Sequence, residues 1–98
     1  MTTIELNNKI KHLPHSPGVY QFLNSDDVII YVGKAKSLKN RVRSYFKQNH
    51  KDGKTNSLVK NIHNIKHVVV KTESDALLLE NRLIKKFQPK YNILLKAD

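Results

Sequence analysis

The chain has 98 residues, of which 39% are hydrophobic and 27% charged, and this suits one small domain with a modest core. It has no cysteine, which excludes disulfides, thiolate zinc sites and a cysteine nucleophile and fits a reducing cytoplasm. No apolar run approaches the roughly 20 residues that a membrane-spanning helix needs. We therefore expect a cytoplasmic, monomeric domain that does not associate with membranes.

Positive charge is concentrated in one part of the chain. The formal net charge is +10, from 18 Lys and Arg against 8 Asp and Glu. The stretch 34–60 holds nine basic residues and one acid, a net +8 of that +10. Such a concentration favours a polyanion partner, most simply nucleic acid, over a basic surface that only aids solubility. An anionic membrane is a weaker alternative, because no Trp-, Phe- or Leu-rich face accompanies the charge.

The first third of the chain predicts a helix followed by a β-hairpin. A short helix is expected over Ile4–Lys11, before the segment 13–18, whose two prolines and glycine cannot form a helix interior. Strands are predicted over Val19–Leu23 and Val28–Val32, joined by the turn-forming residues 24–27.

The predicted hairpin brings two tyrosines together. Its turn pairs Phe22 with Ile29 and Tyr20 with Tyr31, and strand alternation puts these four side chains on one face of the sheet. Directly opposed residues have Cβ atoms about 4.5–5.5 Å apart, so the two phenols should project side by side. Gly33 is expected to end the second strand.

A basic helix is predicted after the hairpin. Ser37 suits its N-cap, and the helix should run through Phe46. Three residues at helical spacing should face the sheet: Leu38, Val42 and Tyr45. Arg41 lies three residues after Leu38 and four before Tyr45, so it shares the inward side of the helix.

The next segments complete the sheet. A polar loop over 48–52, ending at Gly53, precedes a short helix predicted over Thr55–Ile62. A third strand is predicted over Ile65–Lys71, and its continuous run of valines indicates a central position in the sheet. The tail 90–95 is expected to be extended and packed against the body.

The last helix carries a carboxylate in an unusual position. Thr72 suits its N-cap, and the helix should run to about Phe87. Its core stripe is expected to consist of Ala76, Leu79, Leu83 and Phe87. Glu80 falls at the edge of that stripe, where a carboxylate is costly unless it has a partner.

Four polar groups together suggest a site for phosphodiester cleavage. Taken singly, Tyr20 and Tyr31 are an ordinary cross-strand aromatic pair, Arg41 is a surface charge, and Glu80 is a rim residue. On one basic domain they supply a general base, a cation for the developing phosphorane charge, and a ligand for a divalent metal. A lone carboxylate favours one Mg²⁺ or Mn²⁺, whereas a two-metal nuclease needs clustered carboxylates.

The same residues lie in recognisable motifs. Gly18-Val19-Tyr20 and Tyr31-Val32-Gly33 resemble the paired motif of the GIY-YIG endonucleases, with valine at both isoleucine positions. The longer strings 30–38, 41–46, 80–86 and 89–92 are similar to those of the N-terminal nuclease domain in the UvrC family of excinucleases. The resemblance covers about Leu13–Lys96, and the ordered set of motifs is far more specific than any one of them.

The resemblance implies a fold and four roles. The fold class is α+β, a three-stranded antiparallel sheet flanked by helices, in agreement with the strands predicted above. Glu80 matches the metal-binding glutamate of the family, and Arg41 matches its catalytic arginine. Tyr20 and Tyr31 match the two motif tyrosines. We assign the general base to Tyr31, so that Tyr20 orients the water or binds phosphate.

Further site residues are implied by the resemblance. Lys34, Tyr45 and Asn92 match positions that line the active site in this family. Lys34 is the best candidate for tuning the base, because a phenol with a pKa near 10 needs help at neutral pH. Tyr45 is expected to hydrogen-bond the phosphate and Asn92 to support the site through its amide. The residues expected to bind DNA are Lys34, Lys36, Lys39, Arg43 and Lys47.

The resemblance also implies a biological role. The matching domain makes the 3′ incision in bacterial nucleotide excision repair, within the SOS response to DNA damage. Residues 1–98 would then be a single nuclease domain, the N-terminal fragment of a longer protein whose other parts contact the excinuclease component UvrB, and UvrA indirectly. Two alternatives stay open, a non-catalytic basic DNA-binding module and a standalone GIY-YIG repair nuclease.

Overall fold

The computed structural model describes residues 2–47 and 52–95, so the polar loop predicted over 48–52 lies almost entirely outside the described residues. In chain order the elements are α1 (Thr3–Lys11), β1 (Gly18–Leu23), β2 (Ile29–Ala35), α2 (Leu38–Lys47), α3 (Gly53–Lys60), β3 (Asn64–Val69), α4 (Glu73–Phe87) and α5 (Lys90–Leu94). The strands form one antiparallel sheet with helices packed on both faces, which confirms the predicted α+β class.

The helix starts follow local capping signals. Thr2 and Glu5 form a capping box at the start of α1. Thr72 caps α4 as predicted. α3 begins at Gly53, two residues before its predicted start, because the side chain of Asp52 caps it. Within residues 2–47 and 52–95, every helix is too short or too polar to cross a membrane.

β1 is the central strand of the sheet. The strand order is β2-β1-β3, and all six residues of β1 are buried. The predicted central position of β3 is therefore wrong, and β3 ends at Val69 instead of Lys71. Val68 and Val69 on this edge strand are 42% and 50% exposed. A run of β-branched residues indicates a strand, but it carries no information about whether a second strand pairs with it.

The hairpin register differs from the predicted one by two residues. Tyr20 lies opposite Gly33, and Tyr31 lies opposite Phe22. A bulge at Ile30 accounts for one residue of this shift, and a turn one residue longer than predicted, between Leu23 and Ile29, accounts for the other. A shift of two residues leaves side chains on the same face. The shared face of the two tyrosines is therefore confirmed, whereas their direct opposition is wrong.

The bulge also changes both ends of β2. Ile29 packs near Val32 on the face opposite the tyrosines, because Ile30 is the extra residue and takes the predicted place in the larger core. The expectation that Ile29 shares the tyrosine face is therefore wrong. At its other end β2 continues to Ala35, so Gly33 does not end the strand.

The glycines of the two motifs are sites of close approach. A Cβ at Gly33 would overlap the hydroxyl and ring of Tyr20, which lies directly across from it. A Cβ at Gly18 would overlap the Val68 carbonyl and the Leu38 side chain. Both positions need glycine because other atoms already occupy the space of a side chain.

Two apolar clusters hold the layers together. The larger one fills the tyrosine face, and its fully buried members include Phe22, Leu38, Val42, Leu58 and Ile65. The smaller one lies beneath α4 and joins Ala76, Leu79, Leu83 and Ile84 to the sheet. Phe87 was expected in this stripe but is 42% exposed. Helical spacing gives the direction of a side chain, but not how far the sheet extends beneath the helix.

The C-terminal segment is helical where an extended tail was predicted. Lys90–Leu94 forms a short helix with Pro89 at its N-cap. The buried Tyr91 anchors it, since the Tyr91 hydroxyl shares a hydrogen bond of 2.7 Å with Ser57 Oγ and accepts one of 3.3 Å from the Asn61 amide. The packing is confirmed and the extended backbone is wrong, because five residues are too few to show a helical period.

We expect Gly33→Ala to lower the free energy of unfolding by about 1–3 kcal/mol, because the new Cβ needs space that the buried Tyr20 ring occupies. Urea denaturation followed by circular dichroism measures the change. Gly53→Ala is the matched control, since nothing lies within 4 Å of a Cβ at that position. Equal destabilisation by the two substitutions would contradict the expectation.

Candidate active site

Three tyrosine rings pack together on the sheet face that α2 covers. Tyr20 comes from β1, Tyr31 from β2 and Tyr45 from α2. The ring centroids of Tyr20 and Tyr31 lie 6.3 Å apart, and the Tyr45 ring lies 5.9 Å from the first and 6.3 Å from the second. The two motif tyrosines are therefore diagonal neighbours, and the ring from α2 completes a triangle with them.

A hydrogen-bonded chain runs from the core to the surface. The hydroxyls of Tyr20 and Tyr45 share a hydrogen bond of 2.9 Å, and Arg41 Nη2 donates to Tyr45 Oη at 3.2 Å. The Arg41 guanidinium also lies 5.0 Å from the centroid of the Tyr45 ring. The i, i+4 spacing on α2 permits both contacts. Because Tyr20 is only 1% exposed, its buried hydroxyl positions Tyr45, and Tyr45 positions the exposed arginine.

The two motif tyrosines, Tyr20 and Tyr31, both have a raised pKa. Burial raises the pKa of Tyr31 above its ordinary value, the neighbouring Tyr45 phenol raises it further, and the Arg41 charge opposes the rise. Burial likewise raises the pKa of Tyr20, with Tyr45 and Tyr31 adding to the shift. A phenol in this cluster can act as a base only when a positive charge stabilises its anion.

The guanidinium is charged throughout the working pH range. Burial alone would lower the pKa of Arg41, but the nearby phenol oxygens of Tyr20 and Tyr45 outweigh that effect and the pKa is raised. Arginine is protonated in proteins in any case. The cluster therefore presents a permanent cation beside the two motif phenols, whose pKa values are raised.

A cleft of about 530 Å³ opens beside this cluster. Tyr31, Arg41 and Tyr45 line one side of it, and Asp52 and Thr55 at the start of α3 line another. The buried Tyr20 does not line the cleft. Tyr31 is therefore the motif tyrosine that faces the space a substrate would occupy.

A second cleft of about 510 Å³ adjoins the first. Arg41 and Ser44 line both, so the two clefts are contiguous. Lys34 and Lys36 lie on this side, and Lys36 makes an exposed ion pair of 3.5 Å with Glu73 that adds little stability. Ser44 was not predicted from the sequence, although its i+3 spacing from Arg41 places both residues on one side of α2.

Glu80 lies on the other helix that flanks β2. It is half-buried on α4, and its charge is close enough to Tyr31 to raise the pKa of that phenol. Among the described residues there is no group of three or more His, Asp or Glu that could hold a metal. A lone carboxylate fits a cation such as Mg²⁺, which keeps several waters and binds substrate phosphate.

Asn92 contacts the backbone of β2 and does not line either cleft. Its Oδ1 accepts a hydrogen bond of 2.8 Å from the Val32 amide, and its Nδ2 donates one of 2.8 Å to the Val32 carbonyl. β2 is an edge strand, so this side chain satisfies groups that no neighbouring strand reaches. Val32 directly follows Tyr31, and Asn92 thus holds the backbone that carries the half-buried Tyr31 phenol.

The residues predicted to bind DNA divide into two groups. Lys34 and Lys36 line the cleft beside Arg41. The other three line a separate cleft between α1 and α2: Lys39, Arg43 and Lys47. The charge pattern of the sequence does not reveal that α2 separates the two groups.

Comparison with known proteins agrees with the fold. The architecture and the tyrosine–arginine cluster define a domain of the GIY-YIG type. A family model described as the UvrC-like GIY-YIG domain matches residues 16–93. The chain therefore belongs to the family of UvrC-like GIY-YIG domains, which confirms the resemblance inferred from the sequence.

The similar curated proteins are much longer than this chain. The UvrABC system protein C of Bacteroides thetaiotaomicron is 59% identical over 93 residues, which is 95% of this chain and 15% of that protein. The protein of the same name from Flavobacterium psychrophilum is 59% identical over 98 residues, which is 100% of this chain and 16% of that protein. The chain thus spans 15–16% of the length of these relatives.

Solved structures match almost the whole chain. The GIY-YIG N-terminal endonuclease domain of UvrC from Thermotoga maritima, bound to its catalytic divalent cation magnesium, matches with a TM-score of 0.81 at 42% identity. The match covers 94% of this chain and 99% of that one. A point mutant of the same domain, also bound to the catalytic divalent cation, matches with a TM-score of 0.81 at 41% identity. These structures confirm the predicted sheet flanked by helices.

Tyr20→Phe is expected to make the fold less sensitive to alkali. The pKa of Tyr20 is higher in the folded state than in the unfolded chain. The unfolded chain therefore loses this proton first as the pH rises. The stability that the protonated phenol contributes below about pH 10 then falls as the pH rises further. The free energy of unfolding, measured by urea denaturation at about pH 8 and pH 11, should fall less in Tyr20→Phe than in the wild type. An equal fall in both proteins would contradict the expectation, because their lysines titrate alike.

Proposed function

We propose that this domain is a DNA endonuclease that depends on one divalent cation. The observation that carries the proposal is a single cleft lined by the Tyr31 phenol and the Arg41 guanidinium, with the helix that carries Glu80 packed against the strand of Tyr31. The net charge of +10 suits a DNA substrate. The solved relatives, described as endonuclease domains bound to a catalytic divalent cation, support the same assignment.

Each side chain of the cluster has a separate task in hydrolysis. Tyr31 faces the cleft and takes the proton of the attacking water. Arg41 lies on the same cleft and stabilises the negative charge that develops on the phosphate oxygens. Tyr45 accepts a hydrogen bond from Arg41 and lies at the cleft, where it also reaches the phosphate. Tyr20 is a positioning residue, because its buried hydroxyl contacts Tyr45 and not the cleft.

Tyr31 can act as a base only if nearby positive charge stabilises its phenolate anion. Burial raises its pKa, so at neutral pH the phenol holds its proton unless nearby cations favour the anion. Arg41 already opposes the rise, and the exposed Lys34 lines the adjoining cleft. We assign to Lys34 the task of tuning the base.

Glu80 is the residue that would hold the divalent cation, Mg²⁺ or Mn²⁺. Its single carboxylate, half-buried near Tyr31, leaves the other coordination positions to water and to substrate phosphate. The chemistry that such an ion supplies is neutralisation of phosphate charge and easier loss of a proton beside it. Asn92 supports the site indirectly, because it holds the strand that carries Tyr31.

The biological role that we propose is the 3′ incision in bacterial nucleotide excision repair. The relatives named UvrABC system protein C are about six times as long as this chain, so the domain would act as the N-terminal part of such a protein. The excinuclease component UvrB, and UvrA indirectly, would deliver the damaged DNA in the cytoplasm through parts of the protein outside these 98 residues. The domain alone is then expected to be monomeric and to cut poorly.

Glu80→Gln tests the proposal. It removes the carboxylate charge and keeps the size of the side chain, so we expect 3′ nicking of a lesion-bearing duplex to fall about 100-fold or more. The assay uses the complete repair complex, with the substitution made in the full-length protein. The melting temperature should stay close to that of the wild type.

Asp75→Asn is the matched control. It removes one charge from an exposed residue in the first turn of the same helix, so nicking should stay close to the wild-type rate. Full activity in Glu80→Gln would overturn the assignment of Glu80. A wild-type complex that binds DNA but makes no 3′ nick in Mg²⁺ or Mn²⁺ would favour the alternative, a non-catalytic DNA-binding module.

A further inference from the structure

A second basic cleft lies between α1 and α2, outside the proposed active site. Its volume is about 450 Å³. Four of its lining residues are basic: Lys11, Lys39, Arg43 and Lys47. The remaining lining residues are Asn7, Ile10 and Phe46, so no carboxylate from residues 2–47 or 52–95 lines the cleft. Basic side chains beside apolar and aromatic ones, here Ile10 and Phe46, suit a nucleic acid strand.

The orientation of α2 creates this cleft. Leu38 and Val42 are fully buried on the sheet side of the helix. Lys39 and Arg43 each follow one of these residues, and a step of about 100° per residue turns both toward α1. Lys11 in the last turn of α1 completes the basic lining from the other wall. Two helices therefore contribute the charge, and burial of the apolar side of α2 fixes where it points.

The cleft is connected to the proposed active site across the surface of α2. A smaller depression is lined by Asn40, Arg43, Ser44 and Lys47. It shares Arg43 and Lys47 with the cleft between α1 and α2, and it shares Asn40 and Ser44 with the cleft beside Arg41. A phosphodiester chain can thus run from Arg41 over α2 to α1 along a continuous series of depressions.

We propose that the α1–α2 cleft binds the DNA backbone on one side of the cut and thereby holds the scissile phosphate in register at Arg41. The inference rests on the proposed endonuclease function, because the occupant is the strand being cut. Continuity with the catalytic cleft favours DNA over an acidic protein partner, since the basic lining of the cleft suits either polyanion. Phosphate contacts of this kind position a protein on DNA and carry no sequence information.

The test compares two triple variants of equal charge. The cleft triple is Lys11→Gln, Lys39→Gln and Lys47→Gln. The control triple is Lys66→Gln, Lys71→Gln and Lys85→Gln, three exposed lysines that line none of the clefts described above. Fluorescence anisotropy gives the affinity of each chain for a duplex without a lesion, over about 50–200 mM salt.

We expect the cleft triple to bind at least about tenfold more weakly than the wild type at low salt. Its slope of log affinity against log salt should be smaller by about 2–3, since each lost phosphate contact on duplex DNA removes about 0.9. The control triple should keep nearly the wild-type slope. Equal losses in the two triples would overturn the proposal, because binding would then follow net charge alone.

Two other results would also overturn it. One is a cleft triple that binds the duplex like the wild type. The other is a polyglutamate peptide that competes for the cleft as well as the duplex does at equal charge, which would indicate an acidic protein partner.

Glu80→Gln separates the two proposals. It should lose nicking in the repair complex and keep the wild-type salt slope in the binding assay. If nicking survives in Glu80→Gln, the assigned catalytic role fails, whatever the cleft triple does. If Glu80→Gln is inactive and the cleft triple binds DNA normally, only the α1–α2 cleft proposal fails.

Discussion

The Tyr20 ring lying over Gly33 is the contact on which the rest of the site depends. It fits only one register of β1 against β2, because a side chain at position 33 would overlap the ring. The same ring ends in a buried hydroxyl that shares a hydrogen bond with Tyr45, and Tyr45 accepts one from Arg41. The position of an exposed guanidinium is thus set by a contact in the core.

An edge strand carries the exposed part of the site. Among the described strands β2 pairs only with β1, which leaves its outer side open to Asn92 from α5 and places Tyr31 beside a cleft. α4 brings Glu80 to the same strand, and α2 brings Arg41. A central strand could not make such a contact with a side chain, because neighbouring strands on both sides would already pair with its backbone groups. The arrangement therefore uses the unpaired edge that small sheets otherwise have to protect.

The helix α2 lies between two basic surfaces, and depressions on its own surface connect them. Its buried side carries Tyr45 into the tyrosine cluster, one flank presents Arg41 to the clefts beside Tyr31 and Lys34, and the other presents Lys39 and Arg43 to α1. Because a helix turns about 100° per residue, neighbouring cations in the sequence point to different clefts. A charge cluster that is continuous in the sequence thus becomes two surfaces joined across one helix.

Local pattern by itself determined the starts of α2 and α4, the presence of the hairpin and the shared face of Tyr20 and Tyr31, since strand periodicity survives a register shift of two. It also singled out Glu80 as a carboxylate at the edge of a core stripe. Only the tertiary structure decided that Tyr20 is buried while Tyr31 faces a cleft, that β3 is an edge strand, and that Lys11 joins the basic surface of α2. Propensity and spacing act over a few residues, whereas burial and strand order depend on contacts between segments far apart in the chain.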